Sequence, residues 1–274
     1  MRISLLALLM LPAMLRADDF NPRKATLDEL FVEMRERGHT KEKRLRKGRA
    51  RAEFFARKGK GLRYLMTHIH HRNIYLRIYA EPLVKQLKAR EGVPVLLDFL
   101  DAEHAATRRY ATFYLGYFDT PEHADRLMAL LEDRESRKFA IRTLGKWKVK
   151  EAVPEIVEAL KEDKELMRIM AANALRDMAD PRGAEPLIAA LDDDLFTVRK
   201  TAARALAALG EDAPVIAHLG KAEGRVLREL IRTLGEMKSS AGLKKLETMK
   251  DHPDAQVRRE VENAVRLIRE SGES

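Results

Sequence analysis

The chain of 274 residues has no cysteine and a single tryptophan, and only 6% of it is aromatic. Without cysteine there is no disulfide framework, thiol nucleophile, cysteine metal site or lipidated N-terminal Cys. Long apolar runs are nearly missing too. Ile3 to Leu15, broken by Ser4 and Pro12, is short for a comfortable membrane-spanning helix. Met1-Arg2 precedes this run, and Arg16-Ala17 follows it before the acidic Asp18-Asp19. That layout is a secretory signal, with cleavage expected after Ala17 and export to the periplasm or beyond. If that reading fails, the chain is cytoplasmic. No other segment approaches membrane-spanning length, so the mature chain is expected to be soluble.

Charge of one sign is scarce except in one place. Residues 35–63 hold thirteen basic residues, from Arg35 to Arg63, against Glu36, Glu42 and Glu53. The net +10 of this segment exceeds the +9 of the whole chain, so the remainder sums to −1. The protein is therefore near-neutral, with one basic segment that suits an acidic protein partner or, as a second choice, nucleic acid or an anionic surface. Within it, Arg44, Arg46, Lys47, Arg49 and Arg51 are the candidate binding cations. A solvated linker or helix face is the plain alternative.

What is abundant is repetition. Arg108, Arg137, Arg168, Arg199, Leu227 and Arg258 recur at spacings of 29, 31, 31, 28 and 31. Three residues beyond each stand Ala111, Ala140, Ala171, Ala202, Leu230 and Val261; seven beyond stand Leu115, Leu144, Leu175, Leu206, Leu234 and Val265. Ten beyond stand Phe118, Trp147, Met178, Leu209, Met237 and Ile268, completing one apolar helix face. The position eight beyond is Gly116, Gly145, Ala207 or Gly235, replaced by Arg176 and Arg266. A shorter apolar helix precedes each of these, four of them opening on Pro94, Pro154, Pro186 or Pro214. Acidic turns such as Glu132-Asp133 and Asp192-Asp193-Asp194 join the two.

The string Val198-Arg199-Lys200-Thr201-Ala202-Ala203-Arg204-Ala205-Leu206 resembles the short HEAT-like repeats first described in phycobilin lyases. The resemblance spans about 93–269 and implies an all-α, α-α superhelical solenoid of about six hairpins. It also implies that Arg108, Arg137, Arg168, Arg199 and Arg258 pair with turn acids of adjacent repeats as a structural ladder, interrupted at Leu227. Activity does not follow from it, because such repeats serve unrelated functions.

The expected organisation is a signal over 1–17, an N-terminal helix and basic segment over 18–60, a degenerate repeat over 61–91 and the solenoid over 92–274. Thr26-Leu27-Asp28-Glu29 is a capping box that opens the first helix, and Gly38 is expected to close it. Ala80-Glu81-Pro82-Leu83-Val84 closely resembles Ala184-Glu185-Pro186-Leu187-Ile188, so a further repeat is a candidate there.

Catalytic signals are few. His68 and His71 share a helix face and His70 points elsewhere, which favours a structural role over a metal site. HEAT-repeat di-iron hydroxylases use His-Glu dipeptides, whereas this chain has the reverse order at Glu103-His104 and Glu122-His123. No phosphate loop, zincin motif or serine elbow occurs. Trp147 lies at a core position and is expected to pack there rather than meet a base, as a HEAT-like DNA glycosylase would require. A bilin lyase-like enzyme would act inside a photosynthetic cell, which the signal opposes. The expectation is a non-enzymatic binding scaffold without cofactor or metal. All six tyrosines fall between Tyr64 and Tyr117, and Tyr114 stands where the other repeats carry Ala or Thr. Tyr110, Tyr114 and Tyr117, with the basic segment, are the candidate rim of a peptide groove; packing against the N-terminal helices is the other reading.

Overall fold

The structure is a computed structural model and describes residues 20–36, 40–71 and 74–272. The signal at 1–17, Arg37 and the expected helix stop at Gly38 lie outside the described residues. Sixteen α-helices and no strands occur among the described residues. They group into two compact units, residues 1–118 and 119–274. The hairpin phased on Arg108 lies in the first of these units.

The N-terminal unit holds α1 (Leu27–Arg35), α2 (Lys41–Ala56), α3 (Lys58–His68), α4 (Ile74–Val84), α5 (Ala89–Asp98) and α6 (Ala105–Leu115). The capping box forms: Glu29 N–H donates to Thr26 Oγ1 at 3.2 Å and Thr26 N–H donates to Glu29 Oε2 at 2.7 Å. It starts a helix whose Leu30, Phe31 and Met34 are buried. Phe31 lies 6.3 Å from Phe54, 5.5 Å from Tyr64 and 6.2 Å from Tyr79, ring centre to ring centre. This aromatic core ties α1, α2, α3 and α4 together, and Tyr79 also donates its hydroxyl to Met34 O at 2.9 Å. The basic segment is not a linker: Lys41–Ala56 is a helix anchored by buried Ala50 and Phe54. Pro82 does not open a helix as Pro186 does; it sits near the end of α4, which begins at Ile74.

The C-terminal unit is five helical hairpins. Its first helices are α7 (Ala124–Met128), α9 (Val153–Ala159), α11 (Ala184–Ala189), α13 (Asp212–Leu219) and α15 (Ser240–Glu247). Each is followed by a second helix: α8 (Arg137–Lys146), α10 (Glu165–Met178), α12 (Phe196–Leu209), α14 (Gly224–Glu236) and α16 (Ala255–Gly272). The second helices pack in series through the faces read from the sequence, with Ala140, Leu144, Ala171, Leu175, Ala202, Leu206, Leu230, Leu234 and Val261 all buried. Trp147 is buried as well.

Two details explain the regular spacing. A Cβ on Gly145 would stand 2.7 Å from Ala174 Cα, and one on Gly235 would stand 2.9 Å from Ala264 Cα. The glycine eight beyond the phasing residue thus receives the small residue six beyond the next one, and the backbones touch. Eleven beyond, Lys148, Ala179, Gly210 and Lys238 all have positive φ, from 49° to 71°. One left-handed residue therefore ends each of the second helices α8, α10, α12 and α14 and turns the chain toward the next hairpin.

Candidate functional site

The repeated arginines act first on their own turns. Arg168 Nη1 donates to the carbonyls of Glu162 and Asp163 at 2.7 and 2.9 Å. Arg199 does the same to Asp193 and Asp194 at 2.7 and 2.8 Å, and Arg258 to His252 and Pro253 at 2.7 and 3.0 Å. In the N-terminal unit Arg108 repeats the clasp on Ala102 and Glu103 at 2.8 and 2.9 Å. The carbonyls five and six residues upstream belong to the turn, and a planar guanidinium satisfies both at once.

Acid pairing is added to this clasp at some positions. Arg137 meets Glu162 at 2.6 Å, and Arg168 holds Asp193 in a bidentate pair at 2.6 and 3.1 Å. Both acids lie twenty-five residues beyond their arginine, in the next repeat. The corresponding position for Arg199 is Gly224, so its acid is missing and its Nε is buried without a partner. Leu227, next in phase, is buried and apolar, and Arg228 stands 3.7 Å from Asp254 instead. Burial raises the Asp193 carboxyl, but its bonds from Arg168 and the Leu195 N–H outweigh this and hold it below the usual carboxylate range.

The expected binding residues divide into separate groups. On α2, Arg46 is half-buried, paired with Glu33 at 3.0 Å and set over the Phe20 ring at 4.7 Å. Arg44, Lys47, Arg49 and Arg51 have no ion-pair partner among the described residues. At helical spacing Arg44 and Arg51 share a face, with Lys47 at its edge and Arg49 turned away. The Arg51 guanidinium lies over Phe55 at 5.2 Å and Tyr79 at 6.0 Å. Lys58 is tied to Glu91 at 2.6 Å.

The tyrosine stripe lies on α6. Tyr114 is 2% exposed, enclosed by Tyr110, Phe113 and Tyr117, so it packs and does not form a rim. Burial pushes its phenol well above the usual range. Tyr110 accepts from Arg77 Nη1 at 3.1 Å, and Tyr117 donates to Glu81 Oε1 at 2.7 Å. Arg77 and Glu81 sit on the side of α4 opposite Tyr79, which faces α1 and α2. Helix α4 therefore stands between the basic helix and the tyrosines, and the two do not rim one groove. The signal available in the sequence was the charge pattern of α4 and its end, with Arg77 and Glu81 four apart on the helix and Lys85 four further on, just past Val84.

The histidines are closer than helical spacing implied. Helix α3 ends at His68, so His70 and His71 lie in a turn, and His70 does not point away. Its ring stacks on His104 at 3.9 Å and meets His71 at 4.1 Å. His68 Nδ1 lies 2.8 Å from Tyr64 O; a carbonyl only accepts, so Nδ1 carries the proton. Burial, then the neighbouring imidazoles, hold His70 and His71 below the usual histidine range. His70 Nδ1 is buried without a partner, and among the described residues no group of three or more His, Asp or Glu is placed to hold a metal ion. Nor is any helix among them long and apolar enough to cross a membrane.

Comparison with known proteins supports the repeat reading. The HEAT repeats family matches residues 132–207 and 184–266. The hairpin α5–α6, phased on Arg108, lies outside that match. No curated protein sequence matches. Among solved structures, Escherichia coli YibA aligns with a TM-score of 0.53 at 18% identity, over 90% of this chain and 94% of its own. The complex of CpcE and CpcF of phycocyanin lyase from Nostoc gives 0.44 at 23% identity, over 67% of this chain and 77% of the other. Human deoxyhypusine hydroxylase gives 0.37 at 20% identity, over 89% of this chain and 96% of its own. The likeness to YibA concerns the fold alone, and the two enzymes are too distant in shape to bear on activity. Repeat phase, hairpin packing and family match agree, and residues 132–266 of the chain form HEAT repeats.

Proposed function

We propose that the protein is an exported, non-enzymatic binding scaffold whose partner is an acidic protein. The observation that carries this reading is the difference in how arginines are used. In the repeats the phasing arginines are consumed by turn carbonyls and carboxylates, whereas on α2 Arg44, Lys47 and Arg51 stand without ion pairs among the described residues. Unpaired surface cations on an ordered helix speed encounter with an anionic partner and select against cationic ones. Hairpin stacks also offer extended surfaces for protein ligands.

The test is capture from the native host with the mature chain as bait, compared with Arg44→Gln/Lys47→Gln/Arg51→Gln. An acidic protein retained by the first and lost by the second supports the reading. Equal capture by both contradicts the role of α2. Nucleic acid is the second reading, favoured by the same cations; it predicts affinity falling steeply and linearly with the logarithm of salt concentration. N-terminal sequencing of the protein from its host tests export: a start at Asp18 agrees, and an intact Met1 or Arg2 contradicts it.

A further inference from the structure

Glycine disfavours a helix interior, yet α2 carries one at its middle, Gly48. Other glycines of this unit are required by their neighbours. A Cβ on Gly61 would stand 2.9 Å from Phe54 O, and one on Gly59 would stand 2.9 Å from Glu91 O. A Cβ on Gly48 would meet nothing within 4 Å. No packing inside the described residues calls for the missing side chain.

Gly48 instead lines an open cleft of about 550 Å³, together with Arg51, Ala52, Phe55, Lys58 and Leu87. Arg44, Gly48, Arg51 and Phe55 follow one another at four, three and four residues, so they form a single stripe. The stripe is cationic at Arg44 and Arg51 and has bare backbone between them. Stacking over Phe55 and Tyr79 holds the Arg51 guanidinium in place without neutralising it. Three other cations of the segment are paired, Arg46 with Glu33, Lys43 with Glu36 and, at the cleft itself, Lys58 with Glu91. A nucleic-acid duplex needs a broad basic face. A narrow stripe with an apolar floor fits a polypeptide carrying a few carboxylates.

We propose that this cleft docks an acidic polypeptide segment, its main chain against Gly48 and its carboxylates on Arg44 and Arg51, with Lys47 at the edge. The assignment rests on the scaffold reading above and locates its site.

The experiment uses the full chain and fluorescein-labelled poly-L-glutamate, read by fluorescence anisotropy, with single-stranded DNA of matched charge as the competitor class. Three variants are compared: Gly48→Leu, Arg44→Gln/Arg51→Gln, and Arg49→Gln. Gly48→Leu fills the cleft but improves helix propensity, so its melting temperature should be equal or higher while poly-glutamate binding falls about tenfold. The double arginine variant should lose at least as much, and Arg49→Gln should stay within about twofold of the parent. Parent-like binding by Gly48→Leu overturns the cleft, as does an equal loss in Arg49→Gln. Tighter DNA binding that ignores Gly48→Leu also overturns it. Host capture separates the two levels. A partner still retained by Gly48→Leu leaves the scaffold standing and removes the cleft, whereas no partner on the parent removes the scaffold.

Discussion

The two units use the same amino acids for different purposes. In residues 119–274 the phasing arginines are internal fasteners: Arg168 bonds two carbonyls and a carboxylate, and its pair with Asp193 is largely shielded from water. On α2 of the N-terminal unit Arg44 and Arg49 are exposed, Arg51 is laid over aromatic rings and Arg46 is paired with Glu33. Gly145 and Gly235 let second helices touch, whereas a Cβ on Gly48, also inside a helix, would touch nothing. Aromatic residues complete the contrast, since every tyrosine lies in the N-terminal unit. Regular repeats need small residues for close stacking, so a unit built on Phe31, Phe54, Tyr64 and Tyr79 cannot follow their register. The lesson is that composition marks the break more sharply than the hydrophobic period does.

The largest expected effect separates the two kinds of arginine. Arg168→Ala strands the Asp193 carboxylate and two turn carbonyls, and should cost about 3 kcal/mol in urea unfolding. Arg49→Ala on the exposed face of α2 should change stability by less than about 0.5 kcal/mol. Comparable losses at both sites would erase the distinction. The glycines give the next contrast. Gly145→Val forces side-chain atoms into the Ala174 backbone and should cost about 2 kcal/mol, whereas Gly48→Ala should gain up to about 1 kcal/mol.

Acid should act on the N-terminal unit first. His70 and His71 are held below the ordinary histidine range, so the unfolded chain binds protons that the folded one resists. The stabilisation from their neutral forms is complete above pH about 6.5 and declines as pH falls through that value toward the lowered folded values. Amide protection factors near the end of α3 and the start of α6, corrected for the intrinsic exchange rate at each pH, should fall between pH 7.5 and 5.5. Protection that holds constant there, or is lost first in the repeats, would contradict this. Carboxylates such as Asp193, with a lowered folded value, withdraw their contribution only at more acidic pH, below about 3.9. The smallest effect concerns the turn after each second helix. Ala179 has φ of 49°, so Ala179→Gly should gain roughly 0.5–1 kcal/mol by relieving left-handed strain, measured as a raised melting temperature.

Much of the repeat fold was legible because its signals are local and periodic. The residues three, seven and ten beyond each phasing position are the helix face that packs, and the capping box at Thr26 starts a helix where its chemistry requires. Gly145 and Gly235 were visible as a recurring small residue, although their contact with Ala174 and Ala264 needed the stacked helices. The left-handed position was hidden because only Gly210 advertises it, while Lys148, Ala179 and Lys238 adopt the same φ under tertiary constraint. The arginine clasp was missed for another reason: carbonyls five and six residues upstream have no side-chain identity to read. His104 reaches His70 across thirty-four residues, a distance at which sequence spacing says nothing. Tyr114 was flagged by its size against Ala, and the cause is that its helix packs in the aromatic unit.

The central claim is that recognition resides on α2 and that the repeats are chiefly structural. Cross-linking mass spectrometry on the complex captured from the host tests this directly, because lysines are spread over both units. Cross-links concentrated at Lys41, Lys43 and Lys47 are predicted, with the Lys47 cross-links lost in Gly48→Leu. Cross-links concentrated instead at Lys138, Lys200, Lys221 and Lys244 would place the partner on the repeats and contradict it.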